Sequence, residues 1–189
     1  MKKASRRSLL VAALAPVTGI LLFLLAQQGD VRAQLQVPPH LDILSATLAE
    51  ALPTDPGNAA DRAVSFVVEV GGTPPCLNSS TPLSYGFLLD TDHDPTTGVT
   101  NAAFSELGVD ARIVAECNSS TGNFTSLAGT VDVTTDPATG ATTVAITTKV
   151  GKLPSLDFDW IAFAFEGTRF LRLPETGFGA WTTFERTVR

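Results

Sequence analysis

The 189-residue chain predicts an all-β fold: a single antiparallel β-sandwich, jelly-roll-like, preceded by an N-terminal export signal. Three observations predict it. Short segments alternate apolar and polar residues with a period of two. Val, Ile, Thr and Phe crowd those segments, as they do on pleated, half-buried surfaces. Turn sequences recur between them, among them Thr54-Asp55-Pro56-Gly57-Asn58, Gly71-Gly72-Thr73-Pro74-Pro75 and Asp136-Pro137-Ala138-Thr139-Gly140. Eight or nine short strands in one domain suit a sandwich.

Residues 1–33 read as the export signal. Lys2, Lys3, Arg6 and Arg7 precede an apolar run from Leu9 to Ala26, and small residues at Ala26 and Val31-Arg32-Ala33 offer cleavage sites. Ser5-Arg6-Arg7-Ser8-Leu9-Leu10 also resembles a twin-arginine signal, which exports folded proteins. The alternative is an uncleaved segment that anchors the chain, the one route to a membrane that the sequence offers. Residues 34–40 form an extended leader that Pro38 and Pro39 keep out of a helix. The sandwich domain spans 41–189.

Within it, Leu41–Ala49 is apolar and reads as a strand, although propensity also allows a helix at Ser45–Leu52. Arg62–Val70 alternates clearly, with Val64, Phe66, Val68 and Val70 on one face. Leu83–Leu89 is a strand that runs into an acidic loop. Asn101–Leu107 has the composition of one helical turn. Ala111–Cys117, Phe124–Ala128, Thr130–Thr135 and Thr142–Val150 are the next strands. Trp160–Glu166 is continuously apolar and reads as a central strand. Phe170–Leu173 and Ala180–Thr187 close the sheet.

Charge narrows the partners. The first 33 residues carry five Lys/Arg and one Asp, so the rest holds 8 basic and 18 acidic residues. Its net charge is −10, against −6 for the whole chain. That argues against nucleic acid and anionic membrane surfaces, which require clustered positive charge. The setting expected is secreted, extracellular or periplasmic. Cys76 and Cys117 most simply form one disulfide there, because one precedes the 83–89 strand and the other ends the 111–117 strand. An antiparallel pair would bring them together away from the acidic loop. Two free thiols are the alternative. His40 and His93 lack the spacing of a Cys/His zinc site.

The acidic loop is Asp90-Thr91-Asp92-His93-Asp94-Pro95-Thr96-Thr97-Gly98. Three carboxylates at alternate positions suit a hard cation, above all Ca2+, which takes about 6–8 oxygens. The loop matches the first three ligand positions of an EF-hand. Pro95 then stands where the turn requires Gly, and Asn101 replaces the bidentate Glu, so it is not one. The missing oxygens must come from elsewhere. Asp110 heads the returning strand and is the best candidate. Carbonyls around Thr96–Thr97 and water would complete the shell, with Glu106 a weaker candidate. The expected metal set is Asp90, Asp92, Asp94, Asp110 and Thr97. A solvated acidic turn, capped by its own Asp and Thr side chains, is the alternative. His93 reads as a solvent-facing spacer.

The pattern Tyr85-Gly86-Phe87-Leu88-Leu89-Asp90-Thr91-Asp92, Asp94-Pro95-Thr96-Thr97-Gly98 and Gly108-Val109-Asp110-Ala111-Arg112-Ile113 resembles a motif of secreted prokaryotic β-sandwiches. These are similar to carbohydrate-binding family 9 and DOMON-like domains. The resemblance implies a jelly-roll sandwich with a structural calcium beside the loop. It implies no ligand-binding residues.

Trp160, Phe163 and Phe165 read as core. Trp181, flanked by Gly177 and Gly179, is the candidate for an exposed platform on which a sugar ring stacks. Asp157, Asp159, Glu166, Glu175 and Glu185 are scattered carboxylates that nothing pairs into a glycosidase site, and nucleophile and phosphate-loop motifs are missing. No enzyme is expected. Asn78, Asn118 and Asn123 begin N-glycosylation sequons and read more readily as ordinary turn residues. The function expected is a calcium-stabilised binding module for carbohydrate or cell-surface material. The alternative is a structural subunit of an extracellular assembly, a homo-oligomer in which the leader adds a strand to a neighbour.

Overall fold

A computed structural model of the chain describes residues 37–51 and 62–182. The expected signal and positions 34–36 of the leader lie outside the described residues, as do 183–187 of the last expected strand. Among the described residues there is no α-helix, and no helix long and apolar enough to cross a membrane.

Among the described residues, ten strands form two antiparallel sheets that pack together as a sandwich. They are β1 (Ile43–Ala51), β2 (Ala63–Val70), β3 (Leu83–Asp90), β4 (Ala111–Asn118), β5 (Asn123–Thr125), β6 (Thr130–Thr135), β7 (Thr142–Lys149), β8 (Asp157–Glu166), β9 (Arg169–Leu173) and β10 (Gly179–Thr182). One sheet has the order β1-β2-β7-β6. The other has the order β10-β8-β3-β4-β5, with β9 also on β8. Consecutive β2 and β3 lie in opposite sheets, and so do β7 and β8. The central pairs β2–β7 and β3–β8 therefore interlock the two layers.

The core follows from side-chain alternation along each strand. Val64, Phe66, Val68 and Val70 of β2 are each no more than 1 % exposed and meet Tyr85, Phe87 and Leu89 of β3 and Phe158 of β8. Phe66 packs edge-on to Phe87 at 5.2 Å between ring centres. The helix allowed at Ser45–Leu52 gives way to β1, whose backbone pairs with β2 from Ile43 to Ala51. Leu41 lies in a 3-10 turn at Pro39–Leu41, not in the strand. The segment Phe124–Ala128 pairs only over Asn123–Thr125; Ser126 then accepts from the Ala128 amide as the chain crosses to β6. Cys76 and Cys117 form the disulfide, with 5.6 Å between their Cα atoms.

Tyr85 is fully buried and its hydroxyl donates to the His40 carbonyl at 2.7 Å. Burial pushes its phenol far above the ordinary range, with Glu166 adding to it. Tyr85→Phe should cost about 1–2 kcal/mol in urea unfolding, because the carbonyl loses its donor inside the fold.

The outer face of the larger sheet is also buried where β3 and β8 run side by side. The connection from β3 to β4 folds back over it and sets Leu107 and Val109 against Leu88, Ile161 and Phe163. A Val99–Val109 bridge divides this connection into the acidic segment and a second loop. The helical turn expected at Asn101–Leu107 is two linked turns, closed by Phe104 N–H to the Asn101 carbonyl and Leu107 N–H to the Phe104 carbonyl. Arg172 of β9 fastens that second loop. Its guanidinium donates to the Ala103 carbonyl at 3.0 Å and pairs with Glu106.

Candidate metal centre

Strand alternation places the acidic residues. Tyr85, Phe87 and Leu89 point into the core, so Asp90 continues the outer face with Leu88. By the same rule Asp159 shares the outer face of β8 with Ile161 and Phe163. Asp90 and Asp159 are direct cross-strand partners. Asp110 precedes β4, and the register that pairs Leu89 with Ala111 places it on the other side of Asp90. Its N–H donates to the Leu89 carbonyl at 2.9 Å. Three neighbouring strands thus present a row of carboxylates, Asp110–Asp90–Asp159, and like charges in such positions repel.

Two groups face this row. His93 covers one end. Its Nδ1 lies 2.9 Å from Asp159 Oδ2 and its Nε2 lies 3.4 Å from Asp157. The Asp159 hydrogen bond raises the His93 pKa, with Asp157 and Asp90 adding to it against a smaller opposing effect of burial. His93 faces solvent as expected, but it also bridges to β8, with a positive φ of 57°.

The other end gathers Asp90, Asp92 and Asp110. One carboxylate oxygen from each lies within 4.8 Å of the others. Oxygens sharing one calcium ion, at about 2.4 Å each from it, fall within the same limit. Asp90 is only 2 % exposed, while Asp92 and Asp110 are exposed. Gly108 N–H donates to Asp90 Oδ2 at 3.2 Å. Asp90 Oδ1 is buried and has no hydrogen-bond partner among the described residues. Burial raises the Asp90 pKa, opposed by the Gly108, His93 and Asp92 amides, and the nearby Asp92 carboxyl raises it further.

The remaining loop residues hold these carboxylates in place. Thr91 donates its N–H and its hydroxyl to Asp110 Oδ2, each at 2.9 Å. The Thr97 hydroxyl lies 3.0–3.1 Å from both Asp92 oxygens, and Asp94 N–H donates to Asp92 Oδ1 at 3.0 Å. Of the expected set, Asp94 is not one of the three gathered carboxylates, and the Thr97 hydroxyl adjoins them at Asp92. Asp94 Oδ1 accepts from the Thr96 N–H and hydroxyl, which holds its carboxyl below the ordinary range. The Thr97 side chain orients Asp92. Glu106 is turned away to Arg172.

Two glycines shape the cradle. A Cβ on Gly108 would lie 2.3 Å from the Asp94 carbonyl oxygen and 2.7 Å from that of Thr97. Gly98 has φ +64°, and a Cβ there would lie 2.5 Å from the Val109 carbonyl oxygen and 2.9 Å from Asp110 Oδ1. The loop closes this tightly only with glycine at both positions.

Trp181 lies in β10 opposite Phe158 in register. Its expected role as a platform concerns a side chain outside the described residues. Comparison with family models, with curated proteins and with solved structures returns no match at any of the three levels. Function is therefore read from the site itself.

Proposed function

We propose that this chain is a calcium-stabilised β-sandwich that works as a binding module outside the cytoplasm, and that its role is recognition, not catalysis. One observation carries the reading. Asp90 Oδ1 is a buried carboxylate oxygen without a partner, beside oxygens of Asp92 and Asp110. Leaving such an oxygen uncompensated is costly, and a cation coordinated there would compensate it. The oxygen-only donors favour a hard ion, and a shell that is part buried and part exposed loop suits the flexible coordination of Ca2+. The disulfide supports an oxidising compartment.

The test is thermal unfolding with calcium and with chelator. At free calcium about a hundredfold above Kd, binding should add about 2.7 kcal/mol. For a domain of this size that is a Tm shift of about 5–10 °C. Asp92→Ala should melt at the same temperature with and without calcium. Wild-type protein freed of metal and showing no calcium response would overturn the proposal.

A further inference from the structure

We infer that the cation held by Asp90, Asp92 and Asp110 contacts the ligand directly, and that it captures a neutral glycan through vicinal hydroxyls. The inference rests on the cation reading above and adds the chemical class of what is bound. Asp90 lies on the protein side of the group, and exposed Asp92 and Asp110 flank the solvent side. An ion between them has one face against the fold and one face open. Three carboxylates supply about half of the 6–8 oxygens that calcium takes. One oxygen of each accepts a backbone N–H, Asp90 Oδ2 from Gly108, Asp110 Oδ2 from Thr91 and Asp92 Oδ1 from Asp94, an arrangement that favours the other oxygen of each carboxylate on the ion. Positions on the open face are then left to water or to a ligand that displaces it.

Charge selects that ligand. Three carboxylates exceed a dication by one negative charge, and Asp94, Asp157 and Asp159 lie close by. Carboxylate or phosphate ligands would enter against this field. A pair of adjacent hydroxyls supplies two neutral oxygens and replaces two waters without adding charge. Neutral sugars carry such pairs, and the exposed loop leaves room for a chain end to approach.

The experiment uses the full exported chain on columns of mannan, dextran and galactan, with polygalacturonate as the anionic counterpart. Calorimetry with calcium alone runs in parallel. The inference expects retention on a neutral polysaccharide in calcium and loss of retention in chelator. At constant calcium, a free glycoside with vicinal hydroxyls should release the protein. The same glycoside with those hydroxyls methylated should not, a difference that a purely structural ion would not produce. Calcium uptake without retention on any neutral column overturns this inference and leaves the stabilising ion standing. Retention only on polygalacturonate, or retention that survives chelation, also overturns it. No calcium uptake overturns both.

Discussion

Replacing Cys76 and Cys117 together by serine should lower the unfolding free energy by about 4 kcal/mol, with a Tm drop of about 8–16 °C. The cysteines are 41 residues apart in sequence, and their bond removes the freedom of that long loop from the unfolded chain. It spans the whole β3–β4 pair together with the acidic connection. In the folded state it ties the segment after β2 to the end of β4, where Asn78 N–H also donates to the Ser119 carbonyl at 2.8 Å. Urea unfolding of the double variant measures the loss. Reductant should bring the wild type to the same midpoint and leave the variant unchanged. Calcium affinity of the folded variant should be unaffected, because Asp90 ends β3 and Cys117 pairs near its start. Six strand residues, or about 20 Å, separate the two ends. A wild type indifferent to reductant would rule out the bond in solution.

The fold was legible where the chain alternates. Val64, Phe66, Val68 and Val70 announce β2 and its buried face, and the structure alternates there as read. In β3 the pattern is Leu-Ser-Tyr-Gly-Phe-Leu-Leu-Asp, and nearly every residue is buried. Continuous burial marks a strand covered on both faces, but it does not say what covers the second one. The cover is Leu107, at the end of a stretch whose composition suggested a helical turn, and Val109 just beyond it. Only tertiary contact decides that those residues pack down on the sheet. The end of β5 was likewise out of reach, since Thr125 is followed by ordinary strand-compatible residues and the chain leaves because β6 belongs to the other sheet.

The site divides in the same way. The hairpin logic that points from Asp90 to Asp110 is local, and register carries it. Asp159 lies 69 positions beyond Asp90, and its place depends on the β3–β8 pairing, which no local pattern specifies. A faint signal existed: Asp157 and Asp159 alternate at the start of an apolar strand, as Asp90 and Asp92 alternate at the end of one. Gly108 was legible as part of a Gly-Val-Asp step, though not as the donor to Asp90. That role appears only when the loop folds back over the sheet.

Asp90→Asn should stabilise the protein in chelator and lose that advantage in calcium. In chelator the wild type keeps a carboxylate at 2 % exposure with one oxygen unpaired, beside Asp92 and Asp110. The neutral amide removes that charge and brings N–H donors toward those carboxylates, so the variant should be more stable by about 1–3 kcal/mol. In calcium the wild type gains about 2.7 kcal/mol at a hundredfold excess over Kd, and the variant loses most of that gain. The difference in calcium response between the two proteins is then at most about 2.7 kcal/mol. The pH dependence has a definite sign. The Asp90 pKa is higher in the folded protein than in the unfolded chain, so its stabilising contribution is complete below the ordinary carboxylate range. That contribution is lost as pH rises through the folded value. Without metal, the gap between variant and wild type should therefore be smallest in acid and open as pH rises toward neutrality. Asp94, whose pKa is lowered, acts in the opposite direction in both proteins and cancels in the comparison. Melting curves of the two proteins across this range, in chelator and in calcium, measure all of these quantities. A variant that is less stable than wild type in chelator at neutral pH would show that Asp90 is compensated without a cation.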